Sequence, residues 1–180
     1  PEDSHVLDFA DPGEFEMILS VSDSLSCPAV SAPLPISIQE RIVPDPIVLQ
    51  NVTVLSDSSV EINWNGYVVG DIVEYTVYRI ENGTPVEIGR VNDQLTTTFV
   101  DLTPGLDPDS SSICYKVGII NPCLQESDIS LTLEHSTINL EVSPIIDGLV
   151  LDWTPYVGFA VAQYEIYRAE DYNHGSLQQI

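Results

Sequence analysis

The three cysteines are the side chains of this sequence best suited to covalent chemistry. Cys114 lies in an apolar, strand-like segment, and Cys123 follows nine residues later, beyond an Asn-Pro turn signal. This spacing favours a disulfide from a strand to the loop behind it, worth about 2.5–3 kcal/mol on the chain-entropy account. Two free thiols are the alternative, and a metal pair is disfavoured because no second Cys or His pair completes four ligands. Cys27 is left over, with a partner expected before Pro1, so the cysteines favour an oxidising, extracytoplasmic compartment.

The histidines and carboxylates form no recognisable catalytic pattern. His5, His135 and His174 are too scattered for a metal trio or a catalytic pair, and His135 beside Glu134 is interpreted as a packing or capping residue. The sequence has no nucleophile-elbow, zinc-protease or phosphate-loop motif, and no pair of carboxylates stands out for acid–base catalysis. We therefore expect no enzymatic activity and no cofactor.

Asp101, Asp107 and Asp109 are the acidic residues best placed to hold a cation, because they surround an insertion at residues 106–112. Calcium prefers carboxylate oxygens, but the EF-hand spacing, with its central Gly and final Glu, does not occur. A solvated loop is the simpler interpretation. The sequence therefore predicts no metal site.

Tyr67 and Tyr156 are the candidate surface-contact residues. Each lies three residues after a tryptophan, in the loop that follows a strand, where an aromatic ring can stack on a sugar or pack on a protein. We expect them to pack on a neighbouring domain rather than bind a ligand. Trp64 and Trp153 could also stack on sugars, but their alternation with apolar residues predicts that they are buried in a core.

The charge balance narrows the range of partners. The chain has 28 acidic and five basic residues, which give a formal net charge of −23. Nucleic acids and anionic membrane surfaces are bound through Lys and Arg, so neither is expected as a partner. No run of about 18 apolar residues occurs, so direct membrane insertion is not expected either. The acidic surface is interpreted as solubilising, with cation binding as the alternative.

An internal repeat indicates the elements that position these residues. Trp64 and the segment Tyr75-Thr76-Val77-Tyr78-Arg79 recur 89 residues later as Trp153 and Tyr164-Glu165-Ile166-Tyr167-Arg168. A period of this length is typical of tandem β-sandwiches of about 90–100 residues. The predicted core residues of the two copies are Trp64, Tyr75, Val77, Tyr115, Trp153, Tyr164 and Ile166.

The repeat predicts an all-β chain of tandem sandwiches, with one full copy and partial domains at both ends. Alternating apolar residues give the full copy seven strands, at residues 48–54, 60–64, 75–79, 86–88, 97–101, 113–119 and 129–133. The apolar positions change parity between Leu133 and Ile138, which places a boundary within residues 134–137 and leaves almost no linker. We expect a stiff, extended array.

The chain divides into four segments. Residues 1–41 are the end of one domain, with strands at 15–21 and 34–38, and residues 42–46 are a short linker stiffened by two prolines. Residues 47–134 are the full copy, and residues 135–180 are the first part of the next. The second copy has only about half of its strands, so we interpret the sequence as an excerpt of a longer protein.

The motifs resemble those of fibronectin type III domains. These are a Trp on the second strand, Tyr-x-Val on the third, and Leu-x-Pro-Gly at residues 102–105 before a strand Tyr. The insertion at residues 106–112 departs from that pattern and would alter any tyrosine corner at Tyr115. Residues 1–41 resemble the C-terminal half of a polycystic-kidney-disease (PKD) Ig-like domain. With Cys114 and Cys123 around a Tyr strand, the set is similar to repeats in large, gliding-associated surface proteins that Bacteroidota export by the type IX secretion system.

The resemblance implies a non-catalytic segment of a long secreted cell-surface protein, associated with the outer membrane. Such a segment would be a rigid spacer and protein-interaction module in adhesion or gliding motility. Its partners would be neighbouring domains of the same chain and outer-membrane components of the type IX secretion or gliding apparatus. The alternative is a set of accessory β-sandwich domains of an exported polysaccharide-degrading or proteolytic enzyme.

Overall fold

The computed structural model describes residues 7, 11–26, 28–38, 42–168 and 178–179 of the chain. Within these residues every regular element is a strand and all strand pairs are antiparallel, so the predicted all-β class is confirmed. The chain forms two compact units, Pro1–Ile42 and Val43–Ile180, which divide inside the predicted linker. His5, Cys27 and His174 lie outside the described residues.

The first unit contains two pairs of short strands. β1 (Gly13–Met17) pairs with β4 (Leu34–Ile38), and β2 (Ser20–Ser22) pairs with β3 (Pro28–Val30). β4 has the predicted bounds, but the single strand predicted at residues 15–21 is wrong, because it is interrupted at residues 18–19. The Leu19 amide there donates to the Ser31 hydroxyl, and the Leu19 side chain is 71% exposed instead of lying on an apolar face.

The second unit opens with a sandwich of two sheets. One sheet has three strands in the order β5–β6–β9, and the other has four in the order β11–β10–β7–β8. The strands are β5 (Leu49–Ser56), β6 (Ser59–Trp64), β7 (Glu74–Glu81), β8 (Thr84–Val91), β9 (Thr98–Asp101), β10 (Cys114–Ile120) and β11 (His135–Ser136). The first six predicted strands are therefore present, although β8 is much longer than predicted because it pairs along the whole of β7.

The core of this sandwich lies between its two sheets. The side chain of Trp64, at the end of β6, is 1% exposed, and its ring centroid lies 5.2 Å from that of Tyr75 on the facing sheet. Burial of an indole contributes roughly 4–6 kcal/mol from apolar area alone. Tyr75, Val77 and Tyr115 have no exposed surface, so these predicted core residues are confirmed together with Trp64.

The strand predicted at residues 129–133 is not formed. Asp128 starts a turn there, in which its carboxylate and its carbonyl accept the amides two and three residues on. Thr132 is buried with its hydroxyl on the Val117 carbonyl, whereas Leu131 and Leu133 are 70% and 61% exposed. Hydrogen bonds from side chains to the backbone therefore stabilise a turn here, although the apolar alternation predicts a strand. The edge of the sheet is occupied by β11 instead.

The second copy begins with a hairpin of β12 (Leu140–Ile145) and β13 (Gly148–Trp153). Its pairing at the tryptophan end resembles that of β5 and β6, because Leu140 pairs with Trp153 as Leu49 pairs with Trp64, although the register shifts of β5 and β6 do not recur. The ring pair of Trp153 and Tyr164 is tilted by 59°, as is the pair of Trp64 and Tyr75. The two-residue strand β14 (Tyr167–Arg168) follows and pairs with β15 (Gln178–Gln179).

The apolar face of this second hairpin is open. Leu140 and Leu149 are 54% and 65% exposed, whereas Leu49 and Val60, at the equivalent register positions, are 3% and 0% exposed. Trp153 and Tyr164 are 37% and 40% exposed and Ile166 is half-buried. These three predicted core residues are therefore only partly covered, because no second sheet lies over β13 within the described residues.

Candidate interface between the repeats

The segment that joins the two copies makes hydrogen bonds to both of them. β11 pairs with β10, and beyond it the Thr137 amide still donates to the Ile113 carbonyl of the first copy. On the second copy, the Ser136 amide donates to the Val157 carbonyl, and the Val157 amide donates back to the Ser136 hydroxyl. The stretch predicted as a boundary is therefore a shared strand with no flexible linker.

The Tyr156 hydroxyl reaches from the loop after β13 to the first sandwich. It accepts a hydrogen bond from the Val52 amide at 3.0 Å and lies 2.9 Å from Nδ1 of His135. Val52 belongs to β5, an edge strand of the three-stranded sheet, so the hydroxyl satisfies a backbone donor that the sheet leaves unpaired. The arrangement forms a chain of hydrogen bonds from Val52 through Tyr156 to His135.

His135 lies at the centre of an aromatic cluster. Its side chain is buried, and its ring centroid lies 5.7 Å from that of Tyr156 and 5.9 Å from that of Phe159, in edge-on arrangements. The rings of Tyr156 and Phe159 also contact each other, with centroids 4.5 Å apart. Burial lowers the pKa of His135, because the imidazolium would lose its hydration there. The interface therefore favours the neutral imidazole.

Gly158 allows the loop to approach this ring. Its φ is +134°, a conformation that side chains other than glycine rarely adopt, and a Cβ built at this position would lie 2.3 Å from the imidazole of His135. A larger residue would push the loop and the ring apart. The first copy has Val69 at the equivalent position, so this close approach belongs to the second copy only.

The two predicted contact tyrosines have different surroundings. In both loops the tyrosine amide donates to a tyrosine hydroxyl eight residues on, from Tyr67 to Tyr75 and from Tyr156 to Tyr164, so the loops are built alike. Tyr67 is half-buried and packs on its own core. Tyr156 makes a contact of the predicted kind, through its hydroxyl, with the preceding copy. Sequence reasoning missed His135 as its partner, because the two residues lie 21 apart and their approach depends on the backbone of Gly158.

The predicted disulfide between Cys114 and Cys123 is not formed. Cys114 begins β10, and Cys123 lies three residues beyond the other end of that strand. A strand of this length spans about 20 Å, whereas a disulfide joins Cα atoms roughly 4.4–6.8 Å apart. Burial raises the pKa of the Cys114 thiol, which lowers its reactivity. The pair Cys114 and Cys123 therefore supplies no disulfide in the part of the chain that the structure describes.

Asp101 is a structural residue of the first sandwich. Its buried carboxylate accepts hydrogen bonds from the Tyr115 hydroxyl at 2.9 Å, from Arg79 at 3.2 Å, and from the amide and hydroxyl of Thr103. Burial alone would raise the pKa of Asp101, but the hydrogen bonds from Thr103 and Tyr115 and the charge of Arg79 hold it below its usual value. All its oxygens are thus engaged by the protein.

The insertion at residues 106–112 is closed by its own side chains. The Asp107 carboxylate accepts the amides of Asp109 and Ser110, and Leu106 is buried against the core. An open cavity of about 260 Å³ beside the insertion is lined in part by Arg79, whose guanidinium is already paired with carboxylates. Across the described ranges, no three potential ligands lie close enough together to hold a metal ion.

Comparisons with known proteins leave the chain without an assigned family. No protein-family model matches the sequence, and no curated protein matches it. In the part of the chain that the structure describes, no helix is long and apolar enough to cross a membrane.

Proposed function

We propose that this chain is a non-catalytic segment of a long secreted bacterial cell-surface protein, acting as a rigid spacer and protein-interaction module in adhesion or gliding. The proposal includes the order of its domains: the end of a PKD/Ig-like domain at residues 1–41, a fibronectin type III-like domain at 47–134, and the first part of a second at 135–180. The all-β fold and the 89-residue repeat support this order. The location outside the cell rests on the family resemblance of the motifs.

The observation that carries the spacer function is the contact between the copies, here named the joint. The joint consists of Tyr156, Gly158 and Phe159 on one side and His135 with the Val52 amide on the other. Bending at this point would break the Tyr156 bonds and the paired Ser136–Val157 bonds together. Leaving a buried polar group unpaired costs about 1–3 kcal/mol, so bending is resisted and force or orientation passes from one copy to the next.

The open face of the β12–β13 hairpin supports the assignment of a second sandwich. Leu140 pairs with Trp153 as Leu49 pairs with Trp64, and the corresponding face of β5 and β6 forms the core of the first copy. An isolated two-stranded hairpin is only marginally stable, so a face of this kind requires a second sheet. Partners of the array would be the neighbouring domains of the same chain and outer-membrane components of the secretion or gliding apparatus.

The spacer function is tested by measuring the relative orientation of the two copies with residual dipolar couplings. Couplings from residues 47–134 and 138–168 should fit one alignment tensor in the unmodified chain. Gly158→Ala should require two tensors, because its Cβ would clash with His135. Gly70→Ala is the matched control: this glycine lies in the equivalent loop with φ of +91°, and a Cβ added to it would meet no other atom within 4 Å. Independent alignment of the copies in the unmodified chain would contradict the proposal.

Glycan binding distinguishes the spacer from accessory domains of an exported enzyme. Both candidate rings, Tyr67 and Tyr156, are half-buried, and the Tyr156 hydroxyl is engaged within the chain. We therefore expect no binding on a glycan array at micromolar protein. Binding that is lost on Tyr67→Ala or Tyr156→Ala would favour the accessory-domain alternative instead.

A further inference from the structure

We propose that the joint is a pH-sensitive lock, closed while His135 is neutral and released when His135 is protonated. This inference deepens the proposed spacer function and depends on it for the biological meaning of the lock. The contact on which it acts is defined by Tyr156, the Val52 amide and the His135 ring. Acid would then convert a stiff pair of repeats into a hinged one.

The hydrogen bonds at Tyr156 determine which form of His135 the joint accepts. The Val52 amide can only donate, so the Tyr156 oxygen accepts from it, and the hydroxyl hydrogen is available for Nδ1 of His135. A neutral imidazole with its proton on Nε2 accepts that hydrogen. A protonated imidazole carries a hydrogen on Nδ1 as well, so the Tyr156 oxygen must accept a second hydrogen bond and its own hydroxyl hydrogen loses its acceptor. In a buried position that arrangement is unfavourable.

The groups around His135 leave a positive charge there poorly compensated. β5 has no ionisable side chain, and Tyr156 is the single ionisable residue of the loop at 154–163. Burial raises the pKa of Tyr156, so its hydroxyl remains neutral. β10 places Cys114 and Tyr115 opposite β11, and the Tyr115 hydroxyl is engaged elsewhere. Glu134, the neighbour of His135 along the chain, is the one carboxylate on its own strand segment.

The direction of the pH effect follows from the burial of His135. Burial lowers its pKa in the closed joint, whereas opening returns the imidazole to water and to its ordinary value of about 6.5. Above that pH both states are neutral and the joint is fully stable. As the pH falls below it, the open state takes up the proton first, and the equilibrium shifts toward opening.

Amide exchange at Val52, measured by NMR, reports the lock directly because that amide donates to Tyr156. At about pH 7.5 the unmodified chain should protect Val52 relative to Tyr156→Phe, and this difference should fall about tenfold or more at about pH 5. His135→Asn places a neutral amide near the position of Nδ1, so its Val52 protection should be equal at both pH values. Tyr67→Phe, the matched change in the first copy, should behave like the unmodified chain.

The outcomes separate the lock from the spacer. Equal Val52 protection at both pH values in the unmodified chain, or an equal loss in His135→Asn, would overturn the lock while leaving a stiff spacer in place. Independent alignment of the copies at neutral pH would overturn the spacer even where Val52 protection still responds to acid. Should His135→Asn not fold, NMR titration of His135 decides: its pKa must be lower in the unmodified chain than in Tyr156→Phe, and equal values refute the lock.

Discussion

Asp101 joins the Tyr115 hydroxyl and the Arg79 guanidinium at one buried point of the first sandwich. In a tyrosine corner the hydroxyl bonds to the backbone a few residues upstream. In this chain it bonds instead to a side chain 14 residues upstream, on the far side of the insertion. The insertion therefore changes the acceptor but keeps the tyrosine hydroxyl paired, so the lengthened loop leaves the core intact.

Asp101→Asn should lower the free energy of unfolding by about 2–4 kcal/mol at neutral pH, because Arg79 loses a buried anionic partner. The pKa of Asp101 is held below its usual value by hydrogen bonds, so its contribution is present above about pH 3.9 and is lost as the pH falls further. Chemical denaturation from neutral to acid pH should show the two proteins converging. Asp109→Asn, in the self-closed turn, should change stability by less than about 0.5 kcal/mol; an equal loss there would contradict the assignment.

For single residues, the sequence predicts which side chains are buried better than it predicts which side chains contact each other. Trp64 and Tyr75 are buried as expected, because apolar periodicity is a local property of the strand. The contact of His135 with Tyr156 joins residues 21 apart and depends on the backbone of Gly158, which the sequence does not reveal. The prediction of a disulfide between Cys114 and Cys123 was wrong for the same reason, because the distance between the two cysteines depends on where β10 begins and ends.

Among the elements, β8 and β9 meet across the sandwich through a glycine and a ring. A Cβ on Gly89 would lie 2.5 Å from the ring of Phe99. Gly89→Ala should therefore displace this ring and reduce stability by about 1–3 kcal/mol. Gly66→Ala is the matched control, because its nearest neighbour, Thr97, is 3.8 Å away, and its stability should stay within about 0.5 kcal/mol. Thermal or urea denaturation of both variants decides, and equal stabilities would count against the packing described.

The repeat allows equivalent tryptophans on two strands to be compared, Trp64 on β6 and Trp153 on β13. Trp64→Ala should reduce the free energy of unfolding by about 3–5 kcal/mol, because it empties a closed core. Trp153→Ala should have a much smaller effect in this chain, since Trp153 is already 37% exposed. Urea denaturation followed by circular dichroism measures both. Equal losses would mean that the face of β13 is covered in solution.

Strand positions were predictable where alternation is uninterrupted, as along β6 and β10. They were not predictable where a polar side chain competes for the backbone. Hydrogen bonds of Asp128 and Thr132 fold residues 129–133 into a turn with a buried threonine. Leu131 and Leu133, whose alternation predicted a strand, are exposed. The parity change that marked the boundary was thus read from a segment that is not a strand, although the two copies do meet beside it.

Across the whole molecule, the two compact units differ in how much core they contain. Among the described residues, the buried apolar core belongs entirely to Val43–Ile180, and no described residue of the first unit is part of it. The division at residue 42 falls where Pro44 and Pro46 predicted a linker. What the sequence could not indicate is which apolar faces would remain open, because covering a face depends on strands far away in the chain.

Urea or heat should therefore unfold the chain in two transitions, with the first unit unfolding under milder conditions than the Trp64 core. Fluorescence of the buried Trp64 should report the later transition, since this residue lies in the core of the second unit. Limited proteolysis under mild denaturation should cut near residues 42–48, which have no strand. A single transition seen by both fluorescence and far-UV circular dichroism would contradict this expectation.

The close approach of Gly158 to His135 means that the two copies cannot be exchanged for each other. The glycine sits in one copy and the histidine it accommodates sits in the copy before it, whereas Val69 fills the corresponding place upstream. Duplicating, deleting or shuffling single repeats would separate the two halves of the fit. The order of these two copies is thus specified by side chains at the joint, and rearranging them would remove the fit between Gly158 and His135.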